Sequence, residues 1–163
     1  MSKLVLVCSI ALFAVSAAWG QGKINSEWNC DAKAGDEHAI PVGDQPGHAY
    51  WIGQGRCTAG KGMVEGVQEQ EGTWTQFNDM VGASNPNHGV FLVTMQNGDK
   101  VYYNYHGTAM MKDGKFQTGT NQWTIVGGTG KFAGAKGEGS CKGKENADSS
   151  ATWDCMGTYS VGK

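Results

Sequence analysis

The 163-residue, 17.3 kDa chain carries 13 basic and 15 acidic side chains, and only 17% of its residues are charged. With a net charge of −2 and no basic cluster, it lacks the cationic footprint that nucleic-acid binding demands. Its 26 glycines and 3 prolines stay below the roughly 25–30% that marks low-complexity chains, so a folded core is expected. A disordered tail, a coiled coil and a DNA binder are thereby excluded, and no ligand is named.

The first twenty residues read as an export signal. Lys3 supplies a basic start, Leu4–Val15 an apolar stretch, and Ala18-Trp19-Gly20 the small residues that frame a cleavage point before Gln21. The apolar stretch falls short of the roughly 20 residues that span a bilayer. Cys8 lies inside it, away from the cut. The mature chain, residues 21–163, is expected to be a single secreted or periplasmic domain with no membrane span.

Beyond the leader the pattern has period two. Ile24, Ser26, Trp28, Cys30 and Ala32 alternate with Lys23, Asn25, Glu27, Asn29 and Asp31, as in a half-buried strand. A loop from Gly35 to Gly47 follows, and then a second alternation through Ala49, Trp51, Gly53, Gly55 and Cys57. Further strands are predicted over 63–77, 89–96, 100–111, 116–126, 133–142 and 151–161. Asn85-Pro86-Asn87, Asn97-Gly98-Asp99, Lys112-Asp113-Gly114 and residues 145–149 separate them as breakers. No stretch beyond the leader has helical spacing. Eight strands joined by short turns predict an all-β, antiparallel, up-and-down barrel, because closure removes the exposed edges. A two-sheet sandwich is the second choice.

Cleavage leaves four cysteines, and an oxidising compartment makes them two disulfides. Zinc would want closer spacing, since no two are nearer than fourteen residues. All four fall on the core parity. Cys141 and Cys155 are symmetric about Asp148, and Cys30 and Cys57 about the Pro/Gly loop, so each pair can sit opposite in one hairpin. The predicted bonds are Cys30–Cys57 and Cys141–Cys155. Small residues at 135, 137, 139 and 141 face Trp153 and Tyr159, which lets a narrow barrel fill without clashes.

The run from Trp123 to Gly139, with Gly127-Gly128-Thr129-Gly130-Lys131-Phe132-Ala133-Gly134-Ala135-Lys136-Gly137 at its centre, resembles a signature of the allene oxide cyclase and dirigent barrel superfamily. The segments at 97–100 and 105–108 are similar to uncharacterised secreted bacterial proteins of that kind. The likeness is best over 89–143, with Gly157-Thr158-Tyr159 echoing a last strand. The segment from Cys30 to Cys57 has no counterpart in the plant enzymes. The resemblance implies an eight-stranded antiparallel barrel whose apolar lumen binds a small organic molecule and in some members steers its cyclisation or coupling. No catalytic residue is carried over.

Other motifs fail on context. Residues 128–133 fit a loose dinucleotide pattern, but a glycine-studded strand follows where a helix is required. Phe132 after Lys131 rules out a P-loop. Gly72-Thr73-Trp74 resembles the G-x-W of lipocalins and avidins, at the wrong place in the chain. His38, His48, His88 and His106 lack metal-ligand spacing and are assigned to solvent or loop packing. Glu65, Glu69, Glu71 and Asp79 read as a solvated strand face. Neither a metal nor a cofactor is expected.

Polar residues on the core parity are the informative ones. Gln76 and Asn78 follow Trp74, and Asn121 precedes Trp123. A buried amide without a partner costs about 1–3 kcal/mol, so these bond one another, water or a ligand. Trp74, Tyr103, Tyr105 and Trp123 would be the walls of a lumenal pocket, and Gln76, Asn78 and Asn121 its polar groups. The leading expectation is an exported, non-catalytic barrel that binds a small, mainly hydrophobic molecule or serves as an interaction scaffold. The alternative is a cyclase or isomerase, which an ionisable side chain inside a roomy lumen would favour. Carbohydrate binding ranks third.

Overall fold

The computed structural model describes residues 20–31 and 34–162. The expected leader lies outside them except for Gly20, which opens β1 (Gly20–Cys30) opposite Val161. The strands that follow are β2 (Asp36–Pro41), β3 (Ala49–Lys61), β4 (Met63–Val64), β5 (Val67–Met80) and β6 (Ser84–Met95). They continue as β7 (Lys100–Lys112), β8 (Lys115–Gly128), β9 (Lys136–Glu145) and β10 (Ala151–Val161). Each barrel strand pairs antiparallel with its successor, from β5 through β10, and β1 bonds β10. The strand β3 bonds β1 on one edge and β5 on the other, which closes the ring at eight strands. The up-and-down barrel forms and the sandwich does not.

Four local expectations need correction. The segment 36–41 is the strand β2, where a loop was expected. It occupies the edge of β3 that β1 vacates after Cys30, and all six of its residues are exposed, so it leaves no amphipathic trace. The stretch 63–77 is broken by a turn in which Glu65 and Gly66 both have positive φ, 50° and 75°. Asn85-Pro86-Asn87 lies within β6. The β5–β6 ladder ends at Asn78 and Asn87, so the N–H that Pro86 lacks has no β5 partner to miss. The strand expected from residue 133 begins only at Lys136, because residues 130–132 form a single 3-10 turn ahead of it. That turn drives Phe132 and, just after it, Ala135 fully out of solvent.

One end of the barrel is closed by Phe132, Val64, Val93, Met95 and Val101, all wholly buried. Above this plug the inward parity alternates large rings with glycines. Trp123 lies across from Gly139 with Gly157 beyond it, Trp153 across from Gly143, Tyr105 across from Gly89, and Trp74 across from Gly55. A methyl group on any of these glycines would collide with the ring it faces. Both expected disulfides, Cys30–Cys57 and Cys141–Cys155, lie on the same inward layer between directly paired residues.

This packing makes a specific demand at Gly139, where an added Cβ would meet both the Trp123 indole and the Met156 carbonyl. Gly139→Ala is expected to lower stability by about 1–3 kcal/mol, as overpacked cores do. Exposed Ser140→Ala, one residue on, should stay within about 0.5 kcal/mol of wild type. Denaturant midpoints of the two variants give the comparison, and equal midpoints would contradict the packing described.

Candidate functional site

Two hollows compete for attention. The larger, about 1050 Å³, lies on the outer face and is bordered by Ile52, Phe77, His88, Val90 and His106, with His88 and His106 directly paired across β6 and β7. The smaller, about 230 Å³, is the barrel lumen itself. The lumen holds the chemistry. Among the described residues five buried side-chain atoms lack a hydrogen-bond partner, and four belong to lumen-lining residues: Ser26 Oγ, Glu69 Oε2, Tyr103 OH and Asn121 Oδ1. A protein interior leaves few such groups unpaired, because each costs about 1–3 kcal/mol.

Six of the seven residues singled out from the sequence line the lumen: Trp74, Gln76, Tyr103, Tyr105, Asn121 and Trp123. Asn78 does not. It lies one inward step further along β5, where its Oδ1 accepts a 2.6 Å bond from Gln76 Nε2. Gln76 Oε1 in turn accepts from the Tyr105 hydroxyl at 2.9 Å. This chain of bonds satisfies Gln76 and Tyr105 and leaves Asn121 free. The rings of Trp28, Phe91 and Trp153 complete the wall. Trp28 meets Phe91 edge-on at 4.9 Å, and Tyr103 meets Trp123 edge-on at 5.5 Å.

Glu69 is the residue that the alternation concealed. Expected on a solvated face with Glu65, Glu71 and Asp79, it is instead 3% exposed and lines the lumen above the apolar plug. The cause is a bulge in β5. Glu69 pairs with Met95 and Glu71 with Thr94, so Gln70 is skipped and the inward parity changes from odd to even there. Room for the carboxylate comes from Gly62, at φ 149°, where any Cβ would overlap Glu69 Oε2. Burial raises the Glu69 carboxyl from 4.5 to about 7. The Ser26 hydroxyl beside it opposes this rise, from a contact that falls outside hydrogen-bond geometry. Burial likewise pushes up the phenols of Tyr103 and Tyr105.

Around the open end, His48 holds the β2–β3 loop, its ring nitrogens 2.5 Å from Asp44 Oδ1 and 3.0 Å from Asp79 Oδ1. The bond to Asp44 raises the imidazole above its ordinary value despite partial desolvation. This is the loop-packing role expected for it. Among the described residues no group of three or more metal-ligating side chains converges.

No protein-family model matches the chain, and no curated protein does. Among solved structures it superposes on the pterocarpan synthase dirigent protein GePTS1 with a TM-score of 0.53. That match covers 96% of this chain and 98% of the other at 12% identity. The pterocarpan synthase dirigent protein PsPTS1 gives 0.52 over 88% and 97% of the two chains at 13% identity. A conserved protein of unknown function from Rhodopseudomonas palustris gives 0.48 over 88% and 99%, at 9% identity. The first two likenesses establish a barrel of the dirigent fold, as the glycine-rich run over 123–139 implied. At these identities they assign no activity.

The buried carboxyl has a measurable consequence. Because the folded chain binds this proton more tightly than the unfolded chain, its contribution is fully present below pH 4.5. It is lost as pH rises toward about 7 and is level above that. The span is worth roughly 3 kcal/mol. Thermal unfolding of wild type should therefore show stability falling between pH 4.5 and 7. Glu69→Gln should flatten that window and be the more stable protein at pH 8. His48, whose pKa is also raised, contributes a decline only above 6.5. Parallel curves for the two proteins would refute the assignment.

Proposed function

We propose that this chain, a barrel of the dirigent fold, is an exported protein that holds a small, mainly apolar molecule in its lumen. Export is supported by the leader-like residues 1–20 and by two disulfides. Among the described residues, moreover, no helix is long and apolar enough to cross a membrane. The observation that carries the binding reading is a 230 Å³ space walled by aromatic rings, four of whose lining residues each keep a buried polar atom without a protein partner. An apolar cavity of about 150 Å³ holds benzene, so this one suits a molecule of one or two rings. Walls that are mostly apolar with a few placed polar groups are the ordinary form of a ligand site.

Glu69 favours a second reading. A carboxyl near pKa 7 inside a ligand cavity is poised to give or take a proton at neutral pH, as a cyclase or isomerase requires. The two readings separate in heavy water. A ligand that is only held keeps its C–H hydrogens, whereas one turned over by Glu69 gains deuterium that Glu69→Gln fails to introduce.

Native mass spectrometry of exported protein, followed by titration with 1-methylnaphthalene, tests the binding reading. Saturable quenching of tryptophan fluorescence is expected, weakened at least tenfold by Ala109→Phe, which fills the lumen from β7. Protein that is repeatedly recovered empty and shows no saturable uptake would overturn it.

A further inference from the structure

Resting on that reading, we infer that the lumen is built for a cation: a protonated amine or an N-alkylated aromatic ring whose positive nitrogen meets Glu69. Three observations converge. First, the charged side chains lining the lumen among the described residues are Glu69 and Asp31, both carboxylates, and no lysine, arginine or histidine lines it. An anionic guest would enter against both. Second, Glu69 Oε2 is 97% shielded with its residue and has no donor from the protein, while the backbone at Gly62 leaves it space. A carboxylate in that position wants a positive or strongly donating partner. Third, the lumen that Glu69 lines is walled by Trp28, Phe91, Tyr103 and Trp123, and aromatic rings attract desolvated cations more than neutral guests.

A neutral hydrocarbon fills the same volume and leaves the ionised Glu69 carboxylate without a counter-charge, which a cation of equal shape supplies. The groups facing Glu69 do not complicate the titration. Ser26 from β1 is neutral, β4 and β6 bring the apolar Val64 and Met95 to this end, and the Tyr103 phenol of β7 titrates well above the range tested. Asp31 lies exposed at the open end.

Three bicyclic probes decide the matter: the isosteric pair N-methylquinolinium and 1-methylnaphthalene, and the slightly larger 1-naphthoate. At pH 8 the cation is expected to bind at least tenfold more tightly than the hydrocarbon, and the naphthoate more weakly than either. The quinolinium carries a fixed charge, so any pH dependence belongs to the protein. Lowering the pH to 5.5 should cost it about tenfold or more and leave the hydrocarbon unchanged. Glu69→Gln should abolish the cation preference at pH 8 while retaining 1-methylnaphthalene, and the pH series on wild type gives the same answer should that variant not fold. Hydrocarbon bound as tightly as the cation, naphthoate bound best, or a cation preference indifferent to both pH and Glu69→Gln would overturn this inference alone. Failure of all three probes to bind would overturn the lumenal reading with it.

Discussion

A ring of eight strands is too narrow to hold a large aromatic side chain from every inward position, and the structure depends on how that limit is met. Each big ring rests on the bare backbone of a neighbouring strand. Trp123 spans Gly139 and Gly157, Trp153 covers Gly143, Trp74 lies over Gly55, and Phe91 over Gly72. The glycines cost strand stability locally, since they lack side chains to pack and lose more entropy on folding. They regain it by admitting rings that each bury a large apolar area. Two disulfides on the same inward layer tie β1 to β3 and β9 to β10, the strands in which small residues are commonest.

The same geometry explains why the barrel is walled but not filled. Rings that press against glycine backbone leave space above the plug of Phe132, Val93, Met95 and Val101. Polar residues line or flank the space that remains. Gln76, Asn78 and Tyr105 satisfy one another near the open end, while Ser26, Glu69, Tyr103 and Asn121 keep unpaired oxygens. The dirigent proteins of similar shape share the frame at 12–13% identity.

Period-two alternation was enough to find the eight barrel strands, the inward face and the cysteine pairs, because burial on one side of a sheet imposes that rhythm directly. It placed six of the seven chosen lumen residues on the cavity wall. What it missed are the places where rhythm and structure part. The bulge at Gln70 moves Glu69 indoors, and the polar run Gln68-Glu69-Gln70-Glu71 has no contrast from which to read a phase. Strand β2 has no buried face, so only the vacated edge of β3 creates it. Pro86 breaks a strand only where a partner needs its N–H, and the end of the β5 ladder is invisible in the amino-acid order.

The strand β3 serves two masters along one edge, β1 over Cys57–Lys61 and β2 over Ala49–Gln54. The closed ring is complete without the second of these pairings. The β2 hairpin is therefore an eave that extends β3 beyond the ring and is not part of the wall, attached through β3 and the His48 clasp. Its length and residues are free to diverge without disturbing closure, so the outer margin of β3 and the lining of the lumen are open to change independently.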